Sequence, residues 1–183
     1  ASRLAYRIIA SGFQIHLTRN LSEAKEFIRI LYQDEPAKRF GILASSKDTC
    51  LPDYGILNGF QDTKRIKYSR WYNNPTGEIG SSNNLEDVVT EFGCQGLEVD
   101  CALVAWGNDL LWDGSDWQMR KLRPKFKQHD PLSLRKNSYR VLLTRSRDEM
   151  IIFLPPEERF DKTEHALLAA GARMMQFELK SAI

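Results

Sequence analysis

Residues 13–17, Phe-Gln-Ile-His-Leu, alternate apolar and polar side chains with the period of a half-buried strand. Leu21, Ala24, Phe27, Ile28, Leu31 and Tyr32 then recur at helical spacing, behind Asn20 as a cap with Glu23 three residues on. Residues 40–44, Phe-Gly-Ile-Leu-Ala, form a short unbroken apolar run, so the first 45 residues read β-α-β. Residues 46–84 lose this periodicity and are rich in Gly, Pro, Asn, Asp and Ser, which predicts a long insertion. Regular structure resumes at Val88–Phe92, and Cys101–Trp106 is a buried-strand pattern. A second insertion is expected over about 107–129. Asp130-Pro131 is a strong helix start, and that helix should run to about Leu143. Met150–Leu154 reads as a buried strand stopped by Pro155-Pro156. Asp161 opens a last helix that Gly171 closes, and Met175, Phe177 and Leu179 alternate as in a half-exposed final strand. Strands alternating with helices predict an α/β layered domain with a mainly parallel sheet.

The length of 183 residues fits one domain, 1–183, carrying the two insertions. A hydrophobic share of 42% and a charged share of 27% argue for a folded chain against a disordered one. No run of residues is apolar enough to span a membrane, and no leader pattern opens the chain. Cys50, Cys94 and Cys101 are sparse and odd in number, which suits a reducing, cytoplasmic location and argues against a disulfide scaffold or a zinc site made of cysteine alone. His16, His129 and His165 share no metal-ligand spacing, so no metal site is expected.

The net charge of +2 conceals an asymmetry. Segment 85–118 holds eight acids (Glu86, Asp87, Glu91, Glu98, Asp100, Asp109, Asp113, Asp116) and no Lys or Arg. Segment 119–147 holds ten bases and a single acid, Asp130. Among those bases Arg120, Lys121, Arg123 and Lys125 make a run that could grip phosphates, although charged loops are usually just solvated. Residues 64–72 mix bases with Tyr68, Trp71 and Tyr72, the composition of a single-strand stacking surface or equally of a solvated loop around a buried Trp. Trp112 and Trp117 are expected to cover the acidic loop between them.

Ligands of parallel α/β sheets bind at the carboxyl ends of strands, which directs attention to the loops after residues 44, 92, 106 and 154. The chain contains neither a phosphate-binding Gly-x-x-x-x-Gly-Lys-Ser/Thr loop nor a dinucleotide fingerprint. Two segments stand out. One is Thr90-Glu91-Phe92-Gly93-Cys94-Gln95-Gly96-Leu97-Glu98, where Gly96 lets backbone approach a partner and Glu98 can accept hydrogen bonds from a sugar. The other is Leu142-Leu143-Thr144-Arg145-Ser146-Arg147, a helix end carrying arginines before a buried strand. An arginine there can act on charge outside its own domain.

In this order and about 50 residues apart, the two segments resemble the fifth and sixth motifs of the second RecA-like domain of superfamily 1 helicases. The resemblance is closer still to a prokaryotic helicase-like family of unknown function related to the helicase part of Schlafen proteins. It extends over about residues 13–172, including Trp71-Tyr72-Asn73, Gly107-Asn108-Asp109-Leu110 and the helix from Asp161 to Gly171. It implies a RecA-like three-layer fold and a C-terminal motor domain of an ATP-dependent DNA/RNA helicase or translocase. It implies that Arg145 contacts the γ-phosphate as an arginine finger, and that Gln95, Gly96 and Glu98 line the nucleotide cleft, with Glu98 near the ribose. Thr144 would couple the cleft to a bound single strand, and Arg147 would be a further phosphate contact.

The Walker A lysine and Walker B carboxylates are absent, so ATP and Mg2+ are expected to be held mainly by an N-terminal RecA-like domain of the same polypeptide. The isolated chain is then expected to be inactive. The rival reading is a non-catalytic RecA-like module that binds nucleic acid or protein. A nuclease is a weaker rival, since no Asp/Glu/Lys or metal-ligand cluster supports it.

Overall fold

The computed structural model describes residues 13–119 and 130–176. The expected β-α-β opening is strand β1 (Gln14–Thr18), helix α1 (Leu21–Leu31) and strand β2 (Phe40–Ala44). Asn20 caps α1 by accepting from the backbone N–H of Ser22 and Glu23. Two short helices follow, α2 (Phe60–Thr63) and α3 (Tyr68–Asn73), then strands β3 (Val88–Thr90) and β4 (Val99–Ala105). Strands β5 (Leu110–Trp112) and β6 (Trp117–Met119) form a hairpin. Helix α4 (Pro131–Leu142) has Asp130 as its cap, accepting from Ser133 N–H. Strand β7 (Ser146–Phe153), helix α5 (Asp161–Ala169) and strand β8 (Arg173–Met174) complete the described chain.

Six strands form one sheet in the order β3-β2-β4-β7-β1-β8, and every pairing in it is parallel. A strand buried on both faces can be apolar throughout. β2 is accordingly buried at all five positions, its side chains dividing between the two faces. Ile42 and Ala44 join Ala24 and Ile28 of α1 on one side, with Leu103 and Phe153. Leu43 joins Val104, Ile152, Trp71, Tyr139 and Leu142 on the other, where Leu167 and Leu168 of α5 also pack. Helices on both faces of a parallel sheet make this an α/β domain of the RecA-like, three-layer kind.

Three expectations need correction in detail. The 46–84 insertion is less irregular than its composition suggests, because it sends Cys50, Leu51, Ile56 and Trp71 into the core. Gly41 in β2 makes room for the Trp71 indole, since a Cβ there would collide with ring atoms Cζ2 and Cη2. β7 begins at Ser146, four residues before the apolar run. Its first residues protrude past the core, so they carry no apolar signal, and Arg147 lies in a strand and not at a helix end. The final strand is Arg173–Met174, paired with His16 and Leu17; Phe177 and Leu179 lie outside the described residues. The 107–129 insertion contains the β5–β6 hairpin, on which Trp112 and Trp117 face each other at 5.4 Å between ring centroids, beside Trp106.

Candidate functional site

The two motif segments meet. Glu98 immediately precedes β4, Arg145 immediately precedes β7, and these strands are neighbours with Val99 opposite Ser146. The backbone N–H of Val99 donates to Arg145 O at 2.8 Å, which stitches the two segments together. Arg147 Nε lies 3.2 Å from Glu98 Oε2. That hydrogen bond, with a smaller contribution from Tyr72, raises the Arg147 pKa further above its ordinary value. Burial pushes the Cys94 thiol up to about 11, a rise that the charge of Arg145 opposes.

Arg145 is held in place. Its Nε donates to Val141 O at 3.0 Å and its Nη2 to Thr144 Oγ1 at 2.9 Å. Thr144 Oγ1 is itself 2.9 Å from Arg140 O. Nη1 of Arg145 has no partner among the described residues, so one guanidinium nitrogen remains available. Gln95, Gly96, Glu98, Thr144 and Arg147 are all exposed. Gly96 adopts φ of 79°, a left-handed conformation that glycine reaches without the cost a Cβ imposes.

This constellation lies on the amino edge of β4 and β7, and not at the carboxyl ends where ligands of such sheets were expected. The loop from β3 explains the difference: Glu91 follows the carboxyl end of β3, and residues 91–98 carry the chain back to the start of β4. Arg120, Lys121, Arg123 and Lys125 lie outside the described residues.

The carboxyl edge holds a different cluster, buried and polar. Asp109 Oδ2 accepts from Ser45 Oγ at 2.5 Å, and its Oδ1 accepts from Tyr139 Oη at 2.7 Å. Arg135 sits between two carboxylates. Its Nη1 donates to Ser45 Oγ at 2.8 Å and lies 3.6 Å from Glu91 Oε1. Its Nε is 3.1 Å from Asp109 Oδ2, close enough for ion pairing but misaligned for a hydrogen bond. Glu91 also accepts from Ser46 N and Oγ. Asp48 accepts from the N–H groups of Cys50, Leu51 and Asn108. Burial raises the Asp109 pKa, although its hydrogen bonds from Ser45 and Tyr139 and the charge of Arg135 oppose the shift. Tyr139 is pushed well above the ordinary tyrosine value, first by burial and then by the Asp109 charge.

Reading the sequence for motifs misses this cluster. One signal was present: Arg135, Tyr139 and Leu142 form an i, i+4, i+7 stripe, and a charged residue on the buried stripe of a helix requires a buried partner. The cluster ties helix α4 to the loops after β2, β3 and β4. Nothing in it resembles a nucleophile open to a substrate, since Ser45 is completely buried.

The chemistry offered at the two edges therefore differs. The amino edge presents guanidinium groups, a carboxylate and a left-handed glycine to solvent, which suits an oxygen-rich anionic ligand with hydroxyls. Among the described residues no group of three or more His, Cys, Asp or Glu side chains could hold a metal ion, and no helix is long and apolar enough to cross a membrane. Cys50, Cys94 and Cys101 are free and buried, as small core residues.

No curated protein and no solved structure matches the chain. A family profile does, over residues 2–156, and its description is Schlafen group 3, DNA/RNA helicase domain. With that match covering most of its length, the chain belongs to the Schlafen group 3 DNA/RNA helicase domain family.

Proposed function

We propose that this domain is the C-terminal RecA-like half of an ATP-dependent DNA/RNA helicase or translocase of the superfamily 1 kind. One observation carries the reading: Glu98 and Arg145 are drawn to one edge by the Val99–Arg145 backbone bond, with Arg145 already braced and its Nη1 without a partner among the described residues. ATP and Mg2+ would be held mainly by an N-terminal RecA-like domain facing this edge. Arg145 would reach the γ-phosphate and stabilise charge that develops during transfer. Glu98 would accept from the ribose, Gln95 and Gly96 would line the cleft, and Arg147 would leave Glu98 to meet phosphate. Thr144, bonded to both Arg145 and the end of α4, would link the cleft to a bound single strand. The basic run Arg120, Lys121, Arg123 and Lys125 would contribute phosphate contacts.

The test uses a polypeptide carrying both RecA-like domains. Arginine fingers are worth ~10³–10⁵ in rate. Arg145→Ala should lower strand-stimulated ATP turnover by a large factor, mainly in kcat, with little change in KM. Turnover close to wild type would overturn the assignment. Strand binding without any stimulated hydrolysis in the unmutated protein would favour the non-catalytic module instead.

A further inference from the structure

Three aromatic rings stand in solvent around the edge strand β3. Phe60, which opens α2, is 76% exposed; Phe92, two residues beyond β3, is 67% exposed; Tyr68, which opens α3, is 42% exposed. They are neighbours in the fold. α2 packs on β3, and the Tyr68 ring lies on Gly93, where a Cβ would come within 2.5 Å of Cε1. Rings of this size normally go to the core, and Trp71 of the same segment does.

The charge around them is one-sided. Lys64, Arg65, Lys67 and Arg70 are exposed and have no ion-pair partner among the described residues. Lys64 Nζ hangs 5.9 Å from the Phe60 ring centroid. Residues 60–72 contain a single acid, Asp62.

We infer that α2, α3 and Phe92 form a stacking platform for single-stranded nucleic acid, with Phe60, Tyr68 and Phe92 receiving bases and the four cations following the phosphates. The inference deepens the nucleic-acid part of the reading above by naming its surface. Exposed rings among unpaired cations fit a ligand that carries both flat faces and regular negative charge. A protein partner fits less well, because lysine is depleted in protein interfaces where aromatics are buried. Stacking ignores base identity, so the platform should be tolerant of sequence, and it should reject duplex, whose bases are already stacked.

The experiment is nucleotide-free binding of this chain to short fluorescein-labelled oligothymidylate and oligouridylate, and to a duplex of equal length, followed by anisotropy at several salt concentrations. Single strands should bind better than duplex. Whether the deoxy or the ribo strand binds better identifies the natural source. Phe60→Ala with Phe92→Ala should weaken single-strand binding about fivefold or more per ring. Lys64→Gln with Lys67→Gln should flatten the salt slope by roughly 0.7 for each phosphate that is no longer neutralised. If the alanine variant fails to fold, Phe60→Leu with Phe92→Leu keeps the apolar bulk and removes the rings, and should weaken binding in the same sense. Unchanged single-strand affinity in the folded aromatic variants overturns the proposal. So does equal affinity for duplex, or loss of self-association in those variants with oligonucleotide binding intact. Because no ATP is present, either result leaves the assignment of Arg145 to be judged by turnover alone.

Discussion

Replacing Arg135 by Met should cost more than almost any other substitution in this domain. The methionine keeps most of the apolar volume and removes the cation between Asp109 and Glu91, at 3.1 and 3.6 Å. At an effective dielectric constant of about 20, each contact corresponds to about 5 kcal/mol of Coulomb attraction. Much of this offsets the cost of taking three charges out of water. Breaking such a pair from one side leaves buried carboxylates without their cation, for which the net cost is about 3–5 kcal/mol. Urea unfolding at pH 7.5 should show a loss in that range. The pH dependence supplies a second sign. Burial already raises the Asp109 pKa and Arg135 opposes that rise, so without Arg135 the Asp109 carboxyl is held further above its unfolded value and the native state binds more protons than the unfolded one. Stability of the variant should therefore rise as pH falls toward 5, and the gap to wild type should narrow. Adding Asp109→Leu to Arg135→Met should recover part of the loss. A cost below about 1 kcal/mol, or a gap that stays constant with pH, would refute the view that these charges depend on one another.

Tyr139→Phe leaves Asp109 Oδ1 and the Gly107 N–H without their shared phenol, which should cost about 1–3 kcal/mol by chemical denaturation. The folded pKa of Tyr139 is raised, so its contribution is complete below the unfolded value of about 10 and is lost as pH rises above it. Alkaline destabilisation should accordingly be shallower in Tyr139→Phe, and the dependence remaining should include Tyr32, which burial also raises. Gly93→Ala should force the Tyr68 ring off the motif loop; pairing it with Tyr68→Ala should restore thermal stability lost to the clash, and additive losses would count against that contact. Gly41→Val should lower the melting temperature sharply by displacing Trp71, with near-wild-type unfolding as the contrary result.

The layered parallel sheet was legible because its strands are apolar runs and its helices have strong starts, such as Asn20 and Asp130-Pro131. The pairing of Gln95–Glu98 with Thr144–Arg145 was also legible, as a resemblance between two motifs whose order matched. Their edge of the sheet was not. Period and spacing do not show whether a loop such as 91–98 stays at one end of the sheet or carries the chain back to the other. The start of β7 was hidden because Arg147 and Asp148 are exposed and so lack an apolar partner pattern. The buried cluster escaped because Ser45, Asp48, Glu91, Asp109 and Arg135 come from four separated segments, and each alone resembles an ordinary surface residue. Trp71 was ambiguous for a similar reason: its composition-mates Tyr68 and Lys67 point outward while it points in.

Helix α4 runs antiparallel to the strands, entering at the carboxyl edge and leaving at the amino edge. Its 12 residues span ~18 Å at about 1.5 Å per residue. Arg135 in its second turn and Tyr139 one turn further on are fastened in the buried cluster, and just past its C-terminal end sit Thr144 and Arg145. The helix thus behaves as a stiff rod clamped along its buried face. Changes in the loops around Ser45 or Asp109 would tilt or slide the rod and so re-aim an arginine they never touch. Silent-looking variation at the carboxyl edge should then be heard as altered geometry at the opposite edge, and a search for tuning mutations of Arg145 is best begun at the clamp.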